Sequence, residues 1–245
     1  MSETIETATD PGARPPNAEP RQRWRLVVAR SGGAAAADGA QRDVAGAWLA
    51  GLESAGLPLA RTDGARSRAR VSFGAPLPVA MAANGELIDV VLTERWPAWR
   101  LREALQGHLP AGWRLVDAHD VWLAGPALAG RVAAADYRIT LAVPLRATSA
   151  GLRDAARDLL AAPRIPRQRA KGTGSVEYDL RPLLLDVRVE EGGPDVVILA
   201  RTRFHPELGT GRPEEVAAAL GDVLGVTLEI ASIVRERLVL VEDLG

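Results

Sequence analysis

The sequence predicts an α+β protein made of two tandem ferredoxin-like (βαββαβ) units with antiparallel sheets. Three observations predict it. Over roughly residues 23–123 the apolar spacing alternates between strand and helix periods in the order β-α-β-β-α-β. The same order recurs in the second half, as a repeat of pattern rather than of residues. The 245 residues, 47% hydrophobic and 25% charged, have a globular balance and suit one large or two small domains. The units are placed at 22–124 and 130–245. Residues 1–21, polar and rich in proline and acids, are predicted to be a disordered tail.

In the first unit, Trp24-Arg-Leu-Val-Val-Ala29 is a strand. Val44, Trp48 and Leu52, with Ala45 and Leu49 beside them, form a helix face that Gly56 and Pro58 stop. Arg70–Gly74 alternates and places Val71 and Phe73 on one side. Leu87–Thr93 follows as a strand after a loop over residues 75–86. Pro97 suits a first helical position, and Leu101, Ala104, Leu105 and His108 follow at helical spacing. Trp113–Val121 closes the unit. In the second, Asp136–Pro144 is a strand, and Ser149 caps a helix with Leu152, Ala155, Ala156, Leu159 and Leu160 inward. Val176–Glu190 is strand-like but broken near Arg181-Pro182. Asp195–Arg203 is a strand. Pro213 opens a helix with Val216, Leu220, Val223 and Leu224 inward, and Thr227–Val241 is again β-rich.

Composition limits the chemistry. Formal net charge is −1, so no overall field draws nucleic acid or membrane. The N-terminus lacks a basic start and an apolar centre, so no signal peptide is expected and the cytoplasm is the expected location. Cysteine is absent, which removes thiolate metal sites and thiol nucleophiles. His108, His119 and His205 lie far apart, and no metal site is expected. All Lys+Arg positions but Lys171 are arginine, a bias that weakens any arginine cluster as a signal. The six tryptophans all lie in the first half. They suit core packing, or a stacking platform for bases at Trp96 and Trp99, which flank Pro97.

Six short motifs occur in order. AGLPLA leads through a basic loop to RVSFGAPLPVA, which contains Ser72 and Phe73. Glu86-Leu-Ile-Asp-Val-Val-Leu follows, with Glu86 and Asp89. Then come Leu109-Pro-Ala-Gly-Trp, Ala135-Asp-Tyr-Arg, Glu177-Tyr-Asp-Leu-Arg-Pro with Asp179 and Arg181, and Gly211-Arg-Pro-Glu-Glu-Val with Arg212 and Pro213. From Trp24 onward the chain thereby resembles the radical SAM-linked domain of unknown function DUF2344, as a diverged member. The resemblance implies a radical SAM enzyme as partner, which would carry the iron–sulfur cluster and S-adenosylmethionine; the chain needs no cofactor of its own. The family's Ser-His-Leu-Asp corresponds to Ala40-Gln-Arg-Asp43, which retains Asp43. Its Gly-Phe-Asn-Pro-His-Pro loop corresponds to Gly64-Ala-Arg-Ser-Arg-Ala69, which retains Gly64. Both family histidines are replaced.

Two basic stretches are candidates for phosphate or RNA. One is the loop with Arg61, Arg66, Arg68 and Arg70, against Asp63. The other holds Arg164, Arg167, Arg169 and Lys171 within eight residues with no acid; it also reads as an exposed hairpin. Gly209-Thr-Gly-Arg-Pro213 reads as a helix cap, with Glu214 and Glu215 complementing the dipole. Asp43, Asp89 and Asp179 are the acid–base candidates, but no base, nucleophile and oxyanion set assembles around them. The expectation is a non-catalytic accessory protein that binds a radical SAM enzyme and its RNA substrate. The alternatives are a cryptic enzyme acting on RNA or a nucleotide, and a protein-binding adaptor.

Overall fold

In β1 (Gln22–Arg30), Trp24, Leu26 and Val28 point to one face and Arg23 and Arg25 to the other, and all five are buried. A strand covered on both faces belongs inside a sheet, and β1 lies between β3 (Ala82–Leu92) and β4 (Trp113–Val121), antiparallel to both. The computed structural model describes residues 18–32, 44–78, 81–143, 147–171, 174–190 and 195–244. Within them are four α-helices and a large, mostly antiparallel sheet of nine strands, an α+β fold.

The first half adds α1 (Val44–Ser54), β2 (Val71–Phe73) and α2 (Ala98–Leu105). The strands lie in the order β4-β1-β3-β2. Trp48 and Leu52 of α1 and Leu101 and Leu105 of α2 pack on Trp24, Leu26, Val28, Ile88, Val90 and Leu92. The second half has β5 (Val132–Leu141), α3 (Ser149–Ala161), β8 (Leu184–Glu190), β9 (Val197–His205), α4 (Pro213–Leu224) and β11 (Ile230–Leu240). Here the order is β11-β5-β9-β8, the same permutation as in the first half. The two-residue β10 (Gly209–Thr210) lies beside β9. A separate hairpin of β6 (Pro166–Lys171) and β7 (Gly174–Asp179) stands between α3 and β8. A second core gathers Leu152, Ala156 and Leu159 of α3 and Val216 and Leu220 of α4 on Ile139, Leu141 and Ile198.

The halves meet where β11 pairs parallel with β3, Val234 opposite Ala82 and Arg235 opposite Ala83. Gly85 makes this approach possible: a Cβ there would lie 2.8 Å from the Glu236 carbonyl oxygen and 3.2 Å from the Arg237 Cα.

Several elements differ in detail from the sequence reading. β3 begins at Ala82, inside the expected 75–86 loop, because its first residues pair with β1 and β11. β5 begins at Val132, four residues early, where β11 supplies a partner. Pro97 is the N-cap rather than the first helical residue of α2, and His108 lies beyond its end. Thr148, not Ser149, caps α3, accepting the Gly151 N–H at 3.1 Å. In α4, Leu224 continues the inward row from Val216 and Leu220 and packs against the core, while Val223 faces solvent. Pro144 lies outside the described residues. The break near Arg181-Pro182 is a 3-10 turn at Arg181–Leu183.

Gly85→Ala is expected to lower stability by about 1–3 kcal/mol through overpacking of the seam. The shift of the urea midpoint measures it, and an unchanged midpoint would show that the strands can part at no cost.

Candidate functional site

A cleft of about 650 Å³ opens beside the seam. One wall is the motif segment Val71–Leu77, including Ser72 and Phe73. The start of α1 (Val44, Ala45), Trp113, Ala129 and Arg30 complete it, with Glu86, Leu87 and Ile88 of β3. The lining is mostly apolar with a few polar groups, the usual make-up of a small-molecule site. Local sequence explains the walls. Phe73 and Ser72 register against Ile88 and Asp89 of β3. Gly74 ends β2 with its N–H on the Leu87 carbonyl at 2.9 Å. Trp113 stacks edge-on against Trp48 of α1, with ring centroids 5.4 Å apart.

Two charged residues line the cleft, Arg30 and Glu86, and both are buried. Arg235 grips Glu86 with two hydrogen bonds of 2.6 Å, from Nε and Nη2, and donates to the Pro76 and Ala75 carbonyls. Burial works against its charge, but the Glu86 carboxylate outweighs this and holds the guanidinium pKa above the ordinary value. Burial likewise pushes the Tyr137 hydroxyl up. Arg30 is also buried, yet its hydrogen-bond partners are carbonyls: Met81 from Nε and Nη2, and Pro78 from Nη2. Its guanidinium lies 5.4 Å from the Trp113 ring centre. Burial pushes its pKa below the ordinary value; Glu86 opposes that and Arg235 adds to it.

Asp89 lies on the opposite face of β3 and is held by two arginines. Arg23 donates to it at 2.9 and 2.6 Å, and Arg25 at 2.8 and 3.0 Å. Arg23 also reaches the Gly125 and Pro126 carbonyls, so the segment after β4 covers this face. Asp179 accepts the backbone N–H groups of Ile165 (2.8 Å) and Arg181 (3.0 Å) and ties the base of the β6–β7 hairpin. Burial raises its pKa, and those two bonds outweigh the effect, so it lies below the ordinary range. Arg181 donates to the Leu184 carbonyl. Arg212 is the exposed N-cap of α4, and Pro213 is its buried first residue. Asp43 lies outside the described residues.

The two basic stretches attach to different halves. Residues 61–70 form a small loop closed by an Arg61–Ala69 bridge and held against β3 through Ala60 and Arg70. Arg61 pairs with Glu53 of α1 at 3.2 Å. Arg66, Arg68 and Arg70 are exposed around Gly64 and pair with no carboxylate among the described residues. The second stretch is the hairpin, and acids distant in sequence reach it. Arg167 bonds Asp222 at 2.7 Å and lies 4.0 Å from Glu215; Arg164 is 3.7 Å from Asp179. Arg169 lies over Tyr178. Lys171 occupies the last position of β6, opposite Gly174. Among the tryptophans, Trp24, Trp48 and Trp96 are core, whereas Trp99 is 65% and Trp122 75% exposed. Trp96 is therefore closed to stacking with bases, and its ring is covered by Arg100 at 4.0 Å.

Sequence reasoning missed Arg30 and Trp113 as site residues, and Arg235 as the residue that holds Glu86 and the Ala75 and Pro76 carbonyls. The available signal was arginine at an inward register of a buried strand, as at Arg30.

Fold and cleft together define a mixed α+β protein whose motif residues wall a largely apolar cavity over a buried charged floor. The chain belongs to the DUF2344 family, described as an uncharacterized protein conserved in bacteria, whose model matches residues 39–216. No curated protein matches it. Among solved structures it is similar to a chain of a Cbf5-Nop10-Gar1 complex, at 10% identity and a TM-score of 0.48, covering 88% of this chain and 48% of that one. A chain of the archaeal box H/ACA sRNP Nop10-Cbf5 complex matches at 12% identity and a TM-score of 0.43, over 86% and 46% of the two chains. An unknown protein from Galdieria sulphuraria matches at 15% identity and a TM-score of 0.23, over 86% and 98%. The chain thus spans about half the length of the first two solved chains it matches.

Removing one partner of the buried pair, as in Glu86→Leu or Arg235→Met, is expected to cost about 3–5 kcal/mol, and the double change Glu86→Leu/Arg235→Met less than the sum of these two singles. Urea unfolding of the four proteins reads this, and strict additivity would show the pair is not coupled.

A pH test follows from Asp136, which accepts from Arg201 at 2.6 Å and Arg237 at 2.7 Å. Burial raises its pKa, but the two arginines outweigh this and hold it below the ordinary range. Its stabilisation is therefore complete above the unfolded value of about 4 and is lost as pH falls through the lower folded value. Asp136→Asn should lower stability at pH 7 and flatten the acid side of the curve; an unchanged acid limb would remove Asp136 from that role.

Proposed function

We propose that this protein is a non-catalytic accessory subunit that binds a radical SAM enzyme and holds that enzyme's substrate in the cleft beside the seam. The observation that carries the reading is the position of the motif residues. Ser72, Phe73 and Glu86 wall one cavity, while the motif carboxylates Glu86, Asp89 and Asp179 are each occupied by arginines or backbone N–H groups. Carboxylates engaged in this way tie the chain together and leave the cleft wall fixed. The partner would bring the iron–sulfur cluster and S-adenosylmethionine, as the family resemblance implies. On this reading each half is a ferredoxin-like unit. The shared order of fourth, first, third and second strand in each half supports it.

Contact with RNA is the second element of the reading, and Arg66, Arg68 and Arg70 favour it as an exposed basic group with no paired carboxylate among the described residues. The hairpin contributes less, since Asp222 already engages Arg167.

Affinity capture of the tagged protein from its own cells, with and without nuclease, tests the proposal. A stoichiometric radical SAM enzyme that survives nuclease is expected. RNA with no such enzyme would overturn the accessory role. If RNA is part of the complex, replacing Arg66, Arg68 and Arg70 with alanine should weaken RNA binding and reduce its salt slope by about 3. An unchanged slope would remove this loop from RNA contact.

A further inference from the structure

The cleft lining holds one cation, Arg30, and one carboxylate, Glu86, which Arg235 grips from outside the lining. Arg30 and Arg235 are 3% and 1% exposed, and Glu86 is 4% exposed. Glu86 gives both oxygens to Arg235. Arg30 is left with carbonyl partners on Nε and Nη2, and its Nη1 has no hydrogen-bond partner among the described residues. A buried guanidinium without a counter-ion is costly unless an anion completes it. Arg30 lines the cleft with Glu86 and Ser72, and the rest of the lining is mostly apolar: Val44, Val71, Phe73, Leu77, Ile88 and Trp113.

From this geometry we infer that the cleft binds an amphipathic anion: a carboxylate or phosphate monoester headgroup on Arg30, with an apolar body against Phe73 and Trp113. The volume of about 650 Å³ accommodates a ligand of several hundred daltons. Glu86 gives both oxygens to Arg235 and offsets the Arg30 charge only in part, so the positive end of the cleft is built into the fold. The inference rests on the reading of the cleft as the presenting site and names the class of molecule presented.

Calorimetric titration of the isolated full chain with octanoate, octyl phosphate and 1-octanol tests it. At least one anion should bind tenfold or more tighter than the alcohol, and the tighter of the two identifies the headgroup as carboxylate or phosphate. Arg30→Ala should remove that preference while leaving octanol affinity unchanged. Ala129→Trp, at an exposed position on the cleft rim, should weaken all three probes and keeps the test decisive if Arg30→Ala does not fold. Equal affinity for anion and alcohol, no binding of any probe, or binding unmoved by Ala129→Trp would overturn the inference. Because no partner is present, anion binding without enzyme capture would remove only the accessory role. Capture without anion binding would remove only the ligand class.

Discussion

Glu86 and Arg235 lie on neighbouring parallel strands, 149 residues apart in sequence, with side chains 5% and 1% exposed. The seam and the cleft wall after β2 depend on that contact. It sits where β3 and β11 join the two halves into one sheet. It draws in the Ala75 and Pro76 carbonyls and so fixes the segment after β2 that forms the cleft wall. A buried pair of this kind adds little net stability, because desolvation of both ions offsets their attraction. Its effect is on geometry: each ion is costly without the other, so alternative alignments of the seam are penalised.

A related arrangement occurs on the other face of β3, where Arg23 and Arg25 share Asp89 and the Gly125 and Pro126 carbonyls accept from Arg23. Both clusters carry more guanidinium than carboxylate. They differ in what surrounds them. Arg23 is sealed by the chain after β4, whereas Arg30 borders an open cavity. Position relative to the cavity, rather than charge alone, separates a structural arginine from a ligand-binding one.

Much of the fold was legible in the sequence because helix and strand periods are local. Val44, Trp48 and Leu52 define α1, and Pro213 with the acidic first turn marks the start of α4. Element ends were less legible, because pairing extends strands beyond their apolar cores: β3 continues back through Asn84 and Gly85 to Ala82 where partners lie on both sides. Of the cleft, Ser72, Phe73 and Glu86 were marked by motif. Arg30 and Arg235 were not, since a single arginine in a strand looks the same whether it meets water, a carboxylate or a cavity.

The sequence by itself determined the α+β class, the repeated element order, most of each helix face and the acidic first turn of α4. These follow from spacing and composition within about fifteen residues. Only the tertiary structure decided which charges meet. It brought Asp222 to Arg167 across 55 residues and Glu86 to Arg235 across 149, and it left Arg30 without a carboxylate. Periodicity encodes which face a residue takes; the partner on that face is set by the strand order, which no local pattern contains.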